Sequence, residues 1–189
     1  GKRAGSASTN DLSEEGLRRV VGKAEEIAAL APENEELMPP LTEKQQYLRG
    51  SAYDSRSVDT EWSSSERARI AAAAIKEAAF RKFRTAGYLE SNVNHFVYRN
   101  SKGLFAGDRN TRTTFSTTMR NEDGSSSGWN KRASHAIGQL DEDSAIQRAS
   151  EKCAAWSDPK ELDPVVYIAI LEPSAAADLI QQFAWSLDA

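Results

Sequence analysis

The 189-residue sequence predicts an α+β fold, an antiparallel β-meander with several flanking helices. Three observations lead there. Residues 88–134 alternate in polarity in three stretches parted by short turn sequences, as hairpin-connected strands do. Residues 12–30, 64–86, 143–157 and 174–187 carry apolar side chains at helical spacing. One continuous apolar run, Val165-Val166-Tyr167-Ile168-Ala169-Ile170-Leu171, has the length and β-branched content of a buried strand.

The elements follow in order. Lys2 to Thr9 is rich in small residues, compatible with a strand end. Asp11 is placed to cap the first helix, with Glu14 three residues on. Leu17, Val20, Val21, Ala24, Ile27 and Ala28 then form one face of residues 12–30. Pro32, Pro39 and Pro40 exclude helix from much of residues 31–62, which read as a connecting loop anchored by Leu37, Met38, Tyr47, Tyr53 and Trp62. Ser63 and Glu66 have capping-box spacing for a helix over 64–86. Its narrow face would be Ala68, Ala71, Ala72, Ile75, Ala78 and Ala79, and Gly87 would stop it. Strands follow over 88–100, 111–120 and 127–134, with turns at Asn100–Gly103 and Asn121–Gly124. In the second strand Thr113, Phe115, Thr117 and Met119 face one way; Arg112, Thr114, Ser116, Thr118 and Arg120 face the other. Asp141 or Asp143 caps a helix over 143–157 with Ile146, Ala149, Cys153 and Trp156 on its apolar face. After the apolar run, Pro173 suits the first position of a last helix. Residues 1–189 thus read as one α+β region in three parts: a strand-helix end at 1–30, a loop at 31–62, and the remainder from 63. The start at Gly1 and the stop within a helical pattern read as a piece of a longer protein.

Composition excludes several function classes. Lys and Arg number 24 against 28 Asp and Glu, a net charge of −4, which opposes a general nucleic-acid binder. No apolar run approaches the ~20 residues of a membrane helix, and no signal peptide pattern is present, so a cytoplasmic setting is expected. One cysteine excludes an internal disulfide framework, and with two distant histidines no clustered metal ligands are expected.

Single residues offer little chemistry. Cys153 sits on an apolar helix face and reads as a buried, inert thiol. His95, mid-strand, and His135, just past a strand, read as structural, because no partner stands at ligand or relay spacing. Ser125, Ser126, Ser127 and Gly128 read as a hairpin tip, not a phosphate loop, since strand follows strand. Arg81, Lys82 and Arg84 complement a helix C-terminus. Arg112, Thr114, Ser116, Thr118 and Arg120 make the most functional-looking row. Such polar strands suit an exposed edge that accepts an extended peptide or partner strand, or else an ordinary solvent-facing sheet.

Several motifs resemble the TldD/PmbA family, long called modulators of DNA gyrase and related to metallopeptidases. Gly5-Ser6-Ala7-Ser8-Thr9-Asn10-Asp11-Leu12 before a helix is similar to that family's first strand-to-helix segment. Tyr98-Arg99-Asn100-Ser101-Lys102-Gly103-Leu104 resembles its hairpin. Ile170-Leu171-Glu172-Pro173-Ser174-Ala175-Ala176-Ala177-Asp178-Leu179 resembles its buried strand, proline and helix. In TldD-type members that helix carries H-E-x-x-x-H. The resemblance places those positions on Gln181, Gln182 and Ser186, none of which replaces a zinc ligand or a glutamate base. Cys153 precedes the motif and does not match the family's downstream cysteine ligand. The resemblance therefore implies the non-metal PmbA/TldE-type subunit of a peptidase complex acting on unfolded peptides. Its expected partner is a TldD-type subunit or a second copy, with peptide as substrate, and with no cofactor, nucleic acid or membrane. The alternatives are a peptidase using residues outside this chain, and a peptide- or protein-binding module without a peptidase role, such as a gyrase-associated regulator.

Overall fold

The structure is a computed structural model, and it describes residues 2–42, 45–46, 52–58 and 60–187, with the backbone alone at 60–63. Its elements are α1 (Glu14–Leu30), α2 (Thr60–Arg81), β1 (Arg84–Arg99), β2 (Phe105–Arg120), β3 (Ser127–Ser134), α3 (Glu142–Ala155) and α4 (Pro173–Trp185). Short 3-10 turns occupy Ser55–Val58 and Ile137–Gln139. Helices and a three-stranded antiparallel sheet make this an α+β fold. The chain divides into two compact units, Gly1–Tyr47 with Tyr98–Ala106, and Leu48–Val97 with Gly107–Ala189, where one region in three parts was expected. Among the described residues, no helix is long and apolar enough to cross a membrane.

In the first unit, residues 2–12 form no strand and run alongside α1. Gly5 permits this, since a Cβ there would stand 2.4 Å from the Ala24 carbonyl oxygen. The helix cap is Ser13, not Asp11: the Ser13 hydroxyl accepts from the Gly16 N–H at 3.1 Å. Asp11 instead accepts from the Ser13 N–H and hydroxyl and pairs with Arg19 at 2.8 Å. The Ser13 hydroxyl, held below by Asp11, lowers the Asp11 pKa from its usual range, with the Ser13 N–H adding to the effect. The apolar stripe of α1 is only half covered, with Leu17 and Val21 exposed. Asn100 ties the hairpin tip to the loop by donating to the Leu41 carbonyl at 2.8 Å.

The second unit holds the core. Strand order is β1-β2-β3, and β2 pairs β3 in the register Phe115↔Arg132, Thr117↔Asn130 and Met119↔Gly128. The expected division of β2 into two faces is present: Thr113, Phe115, Thr117 and Met119 are all buried. With Ile70, Ala74 and Ala78 of α2 and Ala145, Ile146, Ala149 and Cys153 of α3 they form one layer of helices on one face of the sheet. The buried threonine hydroxyls are paired, Thr113 with Ser91 at 2.9 Å and Thr117 with Thr85 at 3.0 Å. Gly128 lets α3 lie directly on β3, since a Cβ there would be 2.1 Å from the Ala149 carbonyl oxygen. Arg69 of α2 and Glu142 of α3 join the two helices at 2.5 Å.

Several expectations are corrected here. The helix α2 begins at Thr60, so Ser63 and Glu66 lie inside it and the 31–62 loop ends early. It ends at Arg81, where Lys82 adopts the left-handed conformation (φ 57°) and the Phe83 N–H returns to the Ala78 carbonyl at 2.8 Å; Gly87 is already strand. The buried face is Ile70, Ala74 and Ala78, one step round from the expected stripe, leaving Ile75 exposed. Of the expected loop anchors, Tyr53 holds Arg109 over its ring at 3.6 Å, Met38 is exposed, and Tyr47 and the Trp62 side chain lie outside the described residues. Trp156 is the C-cap of α3 and is exposed, not part of its apolar face. The largest correction is Val165–Leu171: it joins no sheet, and Val166, Ile168 and Ile170 are 100%, 99% and 97% exposed. Apolar β-branched residues report a preference for a buried strand, but a strand also needs a neighbour to complete its hydrogen bonds.

Candidate functional site

The segment from Glu172 to Gln181 meets the outer edge of β3 across an open cleft of about 680 Å³. Glu172 builds the junction. It is the N-cap residue before Pro173, which supplies the pre-set first helical position of α4. Its carboxylate pairs with Lys152, in the last turn of α3, and with Arg148 at 3.4 Å. The Lys152 ammonium, with burial opposing and Arg148 and Arg132 assisting, holds the Glu172 carboxyl below the usual glutamate range. Lys152 also donates to the Trp129 carbonyl at 2.9 Å, so one ammonium joins α3, β3 and the start of α4.

Arg132 is committed to structure. It donates to Asn130 Oδ1 at 2.7 Å and Ser144 Oγ at 2.9 Å, fixing β3 to the first turn of α3. Arg112 and Lys131, which also line the cleft, face the uncovered side of the sheet. Glu90 of β1 lies within their electrostatic reach. Its carboxyl is held low first by the Tyr88 hydroxyl, then by Asn92, with Lys131 and Arg112 contributing charge. The Tyr88 phenol is correspondingly raised by Glu90.

The five β2 residues expected to bind a peptide or partner share one face, as the register Thr114↔Ala133, Ser116↔Lys131, Thr118↔Trp129 and Arg120↔Ser127 requires. But β2 is the central strand, so both its backbone edges are taken and no strand can be added to it. Thr114 is buried, Ser116 and Thr118 are half-buried, and Arg112 and Arg120 are exposed. Arg112 alone of the five lines the cleft. The outer strand beside it is β3, whose Trp129 and Lys131 carbonyls accept from the Lys152 ammonium and the Arg132 guanidinium.

Gln181 faces the same cleft, while Gln182 uses its backbone carbonyl to accept from the Ser186 hydroxyl at 3.3 Å. Ser186 is the C-cap of α4, and all three are exposed. Among the described residues no group of three His, Cys, Asp or Glu side chains is placed to hold a metal ion. Neutral amides and a terminal hydroxyl do not fit zinc, whose protein ligands are thiolate, imidazole and carboxylate. Cys153 is fully buried with its sulfur 3.5 Å from the Ser126 hydroxyl. His95 is exposed on β1, and His135 is exposed beside a second cleft of about 750 Å³, its carbonyl accepting from Thr111. Lys131, Arg148 and Glu172 were not singled out from sequence; the Glu172-Pro173 step at a helix start was the available signal.

The described site therefore brings charged and polar groups, among them Arg112, Lys131, Glu172 and Asp178, beside the outer strand β3. A family description, the PmbA/TldA metallopeptidase central domain, matches residues 37–154, and the chain belongs to that family. The fold agrees with solved structures. One is a protein of Bacteroides thetaiotaomicron described as a candidate modulator of DNA gyrase (TM-score 0.63, 16% identity, 81% of this chain and 37% of that one). Another is TldE from Thermococcus kodakarensis (TM-score 0.61, 17% identity, 81% of this chain and 35% of that one). This chain thus spans little more than a third of either. No curated protein sequence gives a significant match.

Proposed function

We propose that this chain supplies the central region of a PmbA/TldE-type subunit, the non-metal partner in a TldD/TldE-like peptidase complex acting on unfolded peptides in the cytoplasm. The observation that carries the reading is α4. The positions that the resemblance equates with H-E-x-x-x-H are Gln181, Gln182 and Ser186, and they offer no zinc ligand and no general base. The cleft supports a role in holding peptide: no further described strand pairs the outer edge of β3, where a peptide would compete with Lys152 and Arg132 for the Trp129 and Lys131 carbonyls, and Arg112 and Lys131 beside it favour acidic side chains or a terminal carboxylate. Catalysis then resides on the partner subunit. The test is cleavage of an unfolded peptide by the purified chain, by a TldD-type subunit, and by the two together. Turnover that needs the partner, is chelator-sensitive and rises when this chain is added supports the reading. Chelator-sensitive turnover by this chain alone overturns it.

A further inference from the structure

The helix α2 carries a second face that the core does not use. Ala68, Ala71, Ala72, Ile75 and Ala79 lie at helical spacing and are all exposed. Ala71 and Ile75, with Ala74, line one side of a cavity of about 280 Å³; Gly87 and Leu89 of β1 and Phe115 of β2 line the other. The cavity follows from the residue types. Between Thr85 and Leu89, which point toward the helices, β1 has Gly87 where a side chain would fill the space, and α2 sets alanines against it. The polar atoms around it are already engaged. The Thr85 and Thr117 hydroxyls pair at 3.0 Å, and the Tyr88 hydroxyl donates to Glu90. What is left is an apolar notch the size of one aliphatic or aromatic side chain.

The notch lies between α2 and an edge strand. In the order β1-β2-β3, β1 has a single neighbour, and among the described residues no further strand pairs its other edge. An open strand edge beside a helix, with an apolar notch between them, suits an extended peptide. The edge supplies main-chain hydrogen bonds, and every second side chain of the added strand turns toward the helix. Charge sets the direction. Lys82 and Arg84, at the start of β1, are exposed and have no hydrogen bond or ion pair among the described residues. A strand added antiparallel to β1 runs toward them and brings its C-terminus there. Further along β1 stands the Glu90 carboxylate, held low chiefly by the Tyr88 hydroxyl, and it disfavours a carboxylate at that end. We propose that the groove between α2 and β1 binds the C-terminal segment of a partner polypeptide, separately from the β3 cleft. The segment pairs antiparallel with β1, seats one apolar side chain against Ala71, Ile75 and Leu89, and sets its terminal carboxylate at Lys82 and Arg84. This holds whether or not the protein takes part in peptide cleavage, since no bond is broken in the groove.

The probe is a fluorescein-labelled eight-residue peptide, built of lysine and threonine and ending valine-threonine-leucine, made with a free carboxylate and as the C-terminal amide. It is titrated against the 189-residue chain by fluorescence anisotropy. The expected result is saturable binding of the acid, with the amide at least ~10-fold weaker. Amide hydrogen exchange slows at 85–91 on binding, while 127–134 is unchanged. Lys82→Glu with Arg84→Glu abolishes the preference for the acid over the amide. Ala71→Trp fills the notch and removes binding of both peptides; Ile75→Glu, also at an exposed position, gives the same reading should the tryptophan variant not fold. Equal affinity for acid and amide overturns the proposal, as does no saturation by about 1 mM. Protection at 127–134 in place of 85–91 moves the peptide to the β3 cleft and overturns it. Protection at 85–91 that rises with protein concentration and without peptide assigns the edge to a second copy, and overturns it too.

Discussion

The Thr111 hydroxyl donates to the His135 carbonyl at 2.6 Å, and Thr111 is itself almost wholly buried. The same oxygen accepts from the Asp54 N–H at 2.8 Å, and the Thr111 N–H donates to the Ala52 carbonyl at 2.9 Å. One residue of β2 therefore ties the segment before α2 to the exit of β3. Asp54 extends the tie: its carboxylate accepts from the Ser57 hydroxyl at 2.8 Å, and that hydroxyl accepts from the Ile137 N–H at 3.0 Å.

Thr111→Val keeps the shape and removes the oxygen, leaving the Asp54 N–H and the His135 carbonyl without it. The expected loss is about 1–3 kcal/mol, the cost of buried polar groups left unpaired. Thr111→Ser keeps the oxygen and loses a methyl group, at about 1 kcal/mol or less. Urea unfolding midpoints check the pair. Equal losses in the two variants would show that the hydroxyl does not act as the tie.

Two glycines should respond in opposite directions. At Gly128 an added Cβ meets the Ala149 carbonyl oxygen at 2.1 Å and the Cys153 nitrogen at 2.5 Å, both backbone atoms of α3. Gly128→Ala must push α3 off β3, at or beyond the ~1–3 kcal/mol usual for overpacking. At Gly22, inside α1, an added Cβ meets nothing within 4 Å. Gly22→Ala should stabilise by about 0.5–1 kcal/mol through helix propensity alone. Thermal unfolding of both variants reads the difference in sign.

Strand alternation and turn residues carried most of the sheet: the two faces of β2, the Asn100 and Asn121 turns and the bounds of β3 all follow from local pattern. The face of α2 was not legible. With alanine at 68, 71, 72, 73, 74, 78 and 79, no hydrophobic stripe is unique, and Ile70 rather than Ile75 is buried. The end of α2 misled for a related reason. Gly87 has the residue type of a stop, yet Lys82 accepts the left-handed conformation there. The cleft was beyond reach because it joins β3, α3 and α4, and Glu172 stands 20 residues from Lys152. Arg112 was found through strand parity. Its neighbour across the ladder could not be named without knowing that β2 is central.

Zinc provides a test of α4. In an ideal helix a five-residue step turns side chains by about 140°, so positions 181 and 186 do not share a face. Ser186 is moreover the C-cap, beyond the regular helix. The chain is expected to hold no stoichiometric zinc, and Gln181→His with Ser186→His should not create a tight site by itself. Metal analysis after dialysis against micromolar zinc checks both. One zinc per chain in the unaltered protein would require ligands other than these.

Acid should release the start of α4. Glu172 has a depressed folded-state pKa, first because of its Lys152 hydrogen bond and ion pair. A carboxylate of lowered pKa contributes its stability above the unfolded-state pKa. It loses that contribution as pH falls through the lowered folded-state value. The window therefore opens near the ordinary glutamate pKa, about 4.3, and extends downward. The change is the loss of the carboxylate partner of Lys152 and Arg148. The residue is partly solvent-exposed, so the effect is local rather than global. Backbone NMR shifts of residues 172–178 should move toward coil below the window's upper edge, while those of α3 and β3 stay fixed. Glu172→Gln should show the loosened α4 start already at neutral pH and no acid transition. A variant that keeps both the ordered α4 start and its acid transition would mean that some other carboxylate makes the junction.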